Sequence, residues 1–194
     1  ICPLFHNSGQ ISTTLGAIWA GARTTPVRAE FGLINFWNYI YEYNITWTLG
    51  MPTHINFLLE RQLIKNNFVL NNNTLKGIFC GGAKLEIEKQ LQFEKIFKTP
   101  VYTNYGLTET TSFATCTPLK MSQSALGSVG VPLFINDVKI VNPENITCKV
   151  NEEGEILIEF KFFCPFFIEY FVYLILVENS LYLNFHFVIK LLIS

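Results

Sequence analysis

Between residues 75 and 105 this chain has few ways to fold. Leu75-Lys76-Gly77-Ile78-Phe79-Cys80 is a β-rich run that ends on Gly81-Gly82-Ala83. A helix over 85–97 follows, with Leu85, Ile87, Leu91, Phe93, Ile96 and Phe97 apolar and Glu and Lys between them. Val101, Tyr102 and Thr103 then begin a second strand, which runs into the turn Asn104-Tyr105-Gly106. Strand, helix and strand in this order make a βαβ unit, and such sheets bind ligands at the carboxyl ends of their strands. The tips at Gly81 and at Tyr105 are therefore expected to lie side by side.

The second tip carries the chemistry. Thr108, Glu109, Thr110, Thr111 and Ser112 set one carboxylate among hydroxyls. Gly106 lets the backbone come close to another group or adopt φ > 0, and Tyr105 offers a flat face beside it. Thr108 can donate to an anion, and Glu109 can hold a hard cation such as Mg²⁺. An aromatic platform, a glycine, a phosphate donor and a metal carboxylate are what a nucleotide site needs. The same residues also suit an ordinary strand-to-loop corner with a polar tip.

Tyr105-Gly106-Leu107-Thr108-Glu109-Thr110-Thr111 resembles the signature of the adenylate-forming (AMP-dependent synthetase/ligase) superfamily. Other stretches resemble its further elements in the expected order. They are Pro3-Leu4-Phe5-His6 with Gly9, Gly81-Gly82-Ala83, the Gly-rich run 124–132, and Gly154-Glu155-Ile156-Leu157-Ile158. Lys84 stands where the family often has Pro, and Asn104 where many members have Gly. The resemblance covers residues 2–159, the middle of a large N-terminal domain.

It implies an ATP-dependent acid–thiol ligase of the acyl-CoA synthetase type, using ATP and Mg²⁺, with a carboxylic acid and CoA as small-molecule partners. The acid would attack the α-phosphate of ATP, giving acyl-AMP and pyrophosphate, and CoA would then take the acyl group. On that reading Tyr105 would stack on adenine, and Gly81, Gly82, Ala83, Asn104, Gly106 and Thr108 would complete the nucleotide site. Thr108 would contact phosphate, Glu109 would hold Mg²⁺, and His6 would border the acyl group. The family's phosphate loop, ribose Asp and small C-terminal domain are not represented in these residues. The chain also opens in mid-phrase at Ile1, so a fragment, inactive by itself, is expected.

The remaining elements are read from pattern. A helix is expected over 10–20 with Ser8 as its N-cap, and a strand over 23–27. An aromatic helix spans 33–43, a strand 45–49, and a helix begins at Pro52 with His54 on its surface. Residues 65–73 read as a loop. The alternating runs 135–141 and 155–158 read as antiparallel strands separated by turns. The fold class is α/β: a mixed, mostly parallel sheet flanked by helices, followed by a smaller antiparallel β region.

From residue 160 the pattern is lost. The run is rich in Phe, Ile, Leu and Tyr and holds no Gly. It reads as translated non-coding sequence outside the family fold, with a membrane span or the strands of an unusual domain as alternatives. It is short for a span and holds Pro165 and Glu169. If it inserts, the protein is instead a non-catalytic, membrane-anchored scaffold with a degenerate adenylate fold. A net charge of −1 without a basic stripe argues against a nucleic-acid partner. Five cysteines without paired spacing point to a reduced, cytoplasmic chain, peroxisomal if the whole protein carries that address.

Overall fold

The structure is a computed structural model. It describes residues 2–28, 32–64, 73–119, 126–160 and 189–191. The chain forms two compact units, Ile1–Val131 and Pro132–Ser194.

The first unit is built on a five-stranded sheet of order β1-β2-β3-β4-β5. Its strands are β1 (Trp47–Gly50), β2 (Gly77–Cys80), β3 (Val101–Tyr105), β4 (Thr115–Cys116) and β5 (Val131–Pro132). β1, β2 and β3 are parallel, and β4 runs antiparallel to β3. The βαβ unit read from the sequence is present: Phe79 pairs with Tyr102 and Cys80 with Thr103.

Three helices supply the core: α2 (Phe36–Tyr43), α3 (Pro52–Ile64) and α4 (Ile87–Phe97). Phe36 and Ile40 of α2, Ile55, Leu58 and Leu59 of α3, and Phe93 and Phe97 of α4 pack with Ile78, Cys80 and Val101 of the sheet. These strand residues alternate with Phe79 and Tyr102, so the core occupies one face of the sheet. On the other face the rings of Trp47, Phe79, Tyr102 and Phe113 stand next to one another at 5.3 to 5.9 Å.

The return from α4 to β3 is fastened by polar side chains. Glu94 Oε1 accepts from the Val101 N–H at 2.8 Å, and Gln90 Nε2 donates to Glu94 Oε1 and to the Val101 carbonyl. Glu88 in the first turn and Lys95 in the last complement the helix dipole. Asn73 adds a clasp, donating to the carbonyl of Phe97 and to Thr99 Oγ1.

Three sequence expectations change. The helix near the N-terminus starts at Ser8 and is π-helical over Ser8–Leu15, continuing as α1 (Gly16–Trp19). The hydroxyls of Thr13 and Thr14 both donate to the Gly9 carbonyl, at 2.9 and 2.8 Å. They compete there with the backbone donor an α-register would use. Ser8 is not the N-cap; Asn7 holds that position without a side-chain cap bond. Residues 23–27 form no strand, and Arg23 Nη2 instead donates to the Tyr43 carbonyl at 2.7 Å. His54 is half-buried rather than a surface residue. Its Nδ1 accepts the Met51 N–H at the start of α3, and burial lowers its pKa.

The second unit is a three-stranded antiparallel sheet of β6 (Asn136–Val141), β7 (Glu155–Phe160) and β8 (Ile189–Leu191), in the order β6-β7-β8. The turn after β6 is set by Asn142, whose Oδ1 accepts the N–H groups of Glu144 and Ile146. The loop expected over 65–73 lies outside the described residues except for Asn73. The tail lies outside them apart from Phe160 and β8. No helix among the described residues is long and apolar enough to cross a membrane.

Candidate functional site

The carboxyl ends of β2 and β3 meet as the βαβ pattern requires. Beyond the Cys80–Thr103 pair, the next residues are Gly81 and Asn104, and the Gly81 N–H reaches back to the Gly50 carbonyl of β1 at 3.3 Å. A Cβ at Gly81 would collide with Asn104 Oδ1 and come within 2.7 Å of its Cγ. Gly82 has φ +81 and is exposed beside Met51. At this tip Gly81 is packed against Asn104, and Gly82 presents bare backbone.

The loop after β3 is held by its own hydrogen bonds. Thr110 is completely buried, and its Oγ1 accepts the Leu107 N–H at 2.8 Å. The Leu107 carbonyl accepts the N–H groups of Thr110 and Ser112, and the Thr108 carbonyl accepts that of Thr111. Thr111 and Ser112 both have positive φ, at 53 and 89. Gly106 answers the choice left open by the sequence. It serves close approach, because a Cβ there would collide with the Ser112 carbonyl oxygen. The folded-back loop leaves Thr108 and Glu109 exposed.

The π-helix docks on this loop through side chains. Asn7 Nδ2 donates to the Leu107 carbonyl at 3.3 Å. Ser12 Oγ donates to Ser112 Oγ at 2.7 Å, and Ser112 Oγ donates to Ser8 Oγ at 3.2 Å. Sequence reasoning gave Asn7 and Ser12 no role and placed Thr110 only among the hydroxyls around Glu109. For Ser12 and Thr110 the signal was the density of hydroxyls in two distant stretches; Asn7 carried none. On the far side, Thr103 Oγ1 bonds Thr117 Oγ1 and the Ser128 carbonyl, bringing the Gly-rich run beside β3.

Gly81, Gly82, Ala83, Asn104, Tyr105, Gly106, Thr108 and Glu109 thus occupy two adjacent strand tips and their loops. Tyr105 is half-buried and burial raises its phenol pKa. His6 is exposed, and its Nδ1 accepts the Ser8 N–H at 3.2 Å. The neighbouring Asn7 makes the bond to the loop, while His6 bonds Ser8. Cys80, on the core face, is pushed up to about 12 by burial and is inert as a thiolate source. No group of three or more His, Cys, Asp or Glu side chains that could hold a metal occurs among the described residues. A cation at Glu109 would take its other ligands from phosphate oxygens and water, as Mg²⁺ commonly does. A cavity of about 240 Å³ lined by Leu33, Asn38, Leu58 and Arg61 lies toward the other end of α3, away from these loops.

The family model for "AMP-binding enzyme" matches residues 1–161. The chain belongs to the AMP-binding enzyme family. Among relatives of this AMP-binding chain, oxalate–CoA ligase of Arabidopsis thaliana is 29% identical over 160 residues, 81% of this chain and 30% of that protein. The 2-succinylbenzoate–CoA ligase of Staphylococcus aureus is 33% identical over 158 residues, 79% of this chain and 28% of that protein. The chain spans about 30% of the length of these relatives. The O-succinylbenzoate coenzyme A synthetase of Bacillus subtilis, solved with ATP and magnesium ion, superposes with a TM-score of 0.68. It shares 27% identity, over 82% of this chain and 32% of that one. An anthranilate CoA ligase in complex with anthranoyl-AMP shares the fold at a TM-score of 0.70 and 17% identity.

Proposed function

We propose that these residues are part of an AMP-forming acid–CoA ligase, and that they carry its adenine platform, a phosphate donor and its magnesium carboxylate. The observation that carries this reading is the pairing of the two strand tips. Bare backbone at Gly82, with Gly81 packed against Asn104, stands beside a loop that buries Thr110 and exposes Thr108 and Glu109. Tyr105 lies flat against adenine, Thr108 donates to a phosphate oxygen, and Glu109 holds the cation. Mg²⁺ held by Glu109 would supply neutralisation of charge on the phosphates. The protein supplies orientation: the Leu107–Thr110 and Ser112–Ser12 bonds fix the loop before substrate arrives. The substrate carboxylate attacks the α-phosphorus of ATP and the bond to pyrophosphate breaks; the CoA thiol, losing its proton, then attacks the acyl carbon, and AMP leaves.

The acid is a small carboxylic acid, the class named by the relatives. His6 borders it. The free thiols of Cys2, Cys80, Cys116 and Cys148 support a reducing compartment such as the cytoplasm. The 194-residue chain is a segment of a longer ligase and does not turn over alone, in keeping with the share of its relatives that it spans. The test is acid-dependent exchange of pyrophosphate into ATP by the full-length protein. Glu109→Gln is expected to slow exchange by about 10²–10³-fold, and the isolated chain to show none. Undiminished exchange in Glu109→Gln would remove the carboxylate from the mechanism.

A further inference from the structure

The scheme above makes no use of the cavity between the start of α2 and the last turns of α3, about 240 Å³ in volume. Its apolar lining is firm. Leu58 belongs to the core cluster and is only 3% exposed, and Leu33 adds further apolar surface. Trp37 lines it with a ring already fixed by packing, stacked on Phe97 at 4.7 Å and edge-on to Phe36 at 4.9 Å. The polar lining is cationic and amide in kind. Arg61 brings a half-buried guanidinium, and Asn35 and Asn38 bring side-chain amides. The Asn35 side chain is not spent on capping α2. Arg61 Cζ stands 6.0 Å from the centre of the Phe57 ring, and no carboxylate is among the described lining residues.

These groups select for charge, shape and size together. A guanidinium stays charged and holds its donors in a planar fork that matches a carboxylate. One cation with neutral amides suits a monoanion, whereas a neutral hydrocarbon would desolvate those donors without pairing them. An apolar wall with a few convergent polar groups is the usual make-up of a small-molecule site. A cavity of about 150 Å³ admits benzene, so about 240 Å³ has room for one ring and its carboxylate. The place is remote from the strand tips. Helix α3 starts at Pro52, next to the β1 tip, and rises about 14 Å before it reaches Arg61.

We propose that the α2–α3 cavity is a second binding site, separate from the nucleotide loops, for a small aromatic carboxylate held by the Arg61 fork. The ring lies against Trp37 and Leu58, and the amides of Asn35 and Asn38 donate to the carboxylate oxygens that Arg61 leaves open. The inference stands apart from the ligase reading, since it needs only the lining of this cavity.

The experiment labels the full-length protein with 5-fluorotryptophan and assigns the Trp37 ¹⁹F resonance by its loss in Trp37→Phe. Benzoate is expected to shift that resonance saturably, with or without excess AMP. Benzyl alcohol keeps the ring without the charge, and inorganic phosphate keeps the charge without the ring. Each is expected to bind at least ~10-fold more weakly than benzoate. Arg61→Met keeps an apolar stem and is expected to weaken benzoate by at least ~10-fold, with its fold checked by thermal melting. Arg61→Lys retains the charge but not the fork, and its affinity should fall between the two. A Trp37 resonance that benzoate leaves in place, a shift that AMP abolishes, or undiminished affinity in Arg61→Met would overturn the proposal. Phosphate binding as tightly as benzoate would do the same, because it would reduce the cavity to a bare anion site.

Discussion

At Gly106 one missing methyl group decides the shape of the loop. The chain doubles back so tightly that a Cβ would strike the Ser112 carbonyl oxygen. Gly106→Ala must shift backbone rather than a flexible side chain. It is expected to cost about 2–3 kcal/mol, read as a lower urea midpoint, and to weaken AMP binding in the full-length protein. The sequence placed a glycine beside Tyr105 but left two reasons for it open. Choosing between them required knowing where residues 112–114 return, which no local pattern encodes. Cys80 gives a second test at this scale. Burial raises its pKa from 9.0 to about 12, so the folded state keeps the thiol protonated while the unfolded state ionises. Its contribution is fully present below pH 9 and is lost as pH rises from 9 toward 12. Between those values stability should fall by about 1.4 kcal/mol per pH unit from this group. Urea titrations of wild type and Cys80→Ala across that window should diverge in slope; parallel curves would show that the thiol is not protected.

Whole elements were legible where apolar spacing and turn residues agreed. The unit from β2 through α4 to β3 was read within a few residues of its bounds because Phe93 and Phe97 mark one face and Gly81 ends the strand. The N-terminal helix was read in the right place but with the wrong start and register. Period 3.6 cannot reveal that Thr13 and Thr14 would both spend their hydroxyls on the Gly9 carbonyl. The expected strand at 23–27 failed for a different reason: β-branched residues supply propensity, but a strand needs a partner, and Arg23 is tied to Tyr43 instead. The end of α4 offers a prediction. Lys98 is exposed and sits in the left-handed region at φ 52, a conformation glycine adopts without strain. Lys98→Gly should stabilise the chain by about 0.5 kcal/mol. Lys98→Val should destabilise it, and reversal of that order in urea midpoints would exclude backbone strain at the cap.

At the scale of the molecule, the first unit is held from one side of its sheet. Phe93 has no exposed surface, packs on Phe97 at 4.6 Å, and belongs to the single cluster that joins α2, α3 and α4 to the strands. The opposite face is aromatic but less covered: Trp47 stacks on Phe79 at 5.3 Å yet is 36% exposed. Removing a ring from a closed core loses its transfer free energy and leaves a cavity, whereas removing a ring already open to water leaves little cavity. Phe93→Ala should therefore cost about 3–5 kcal/mol, a large part of the roughly 5–15 kcal/mol that a folded domain has. Trp47→Ala should cost well under half of that. Urea unfolding followed by far-UV circular dichroism separates the two. A large loss for Phe93→Ala and a small one for Trp47→Ala is the outcome of a one-sided core. Equal losses would mean that the aromatic face is closed in solution by something that packs on Trp47.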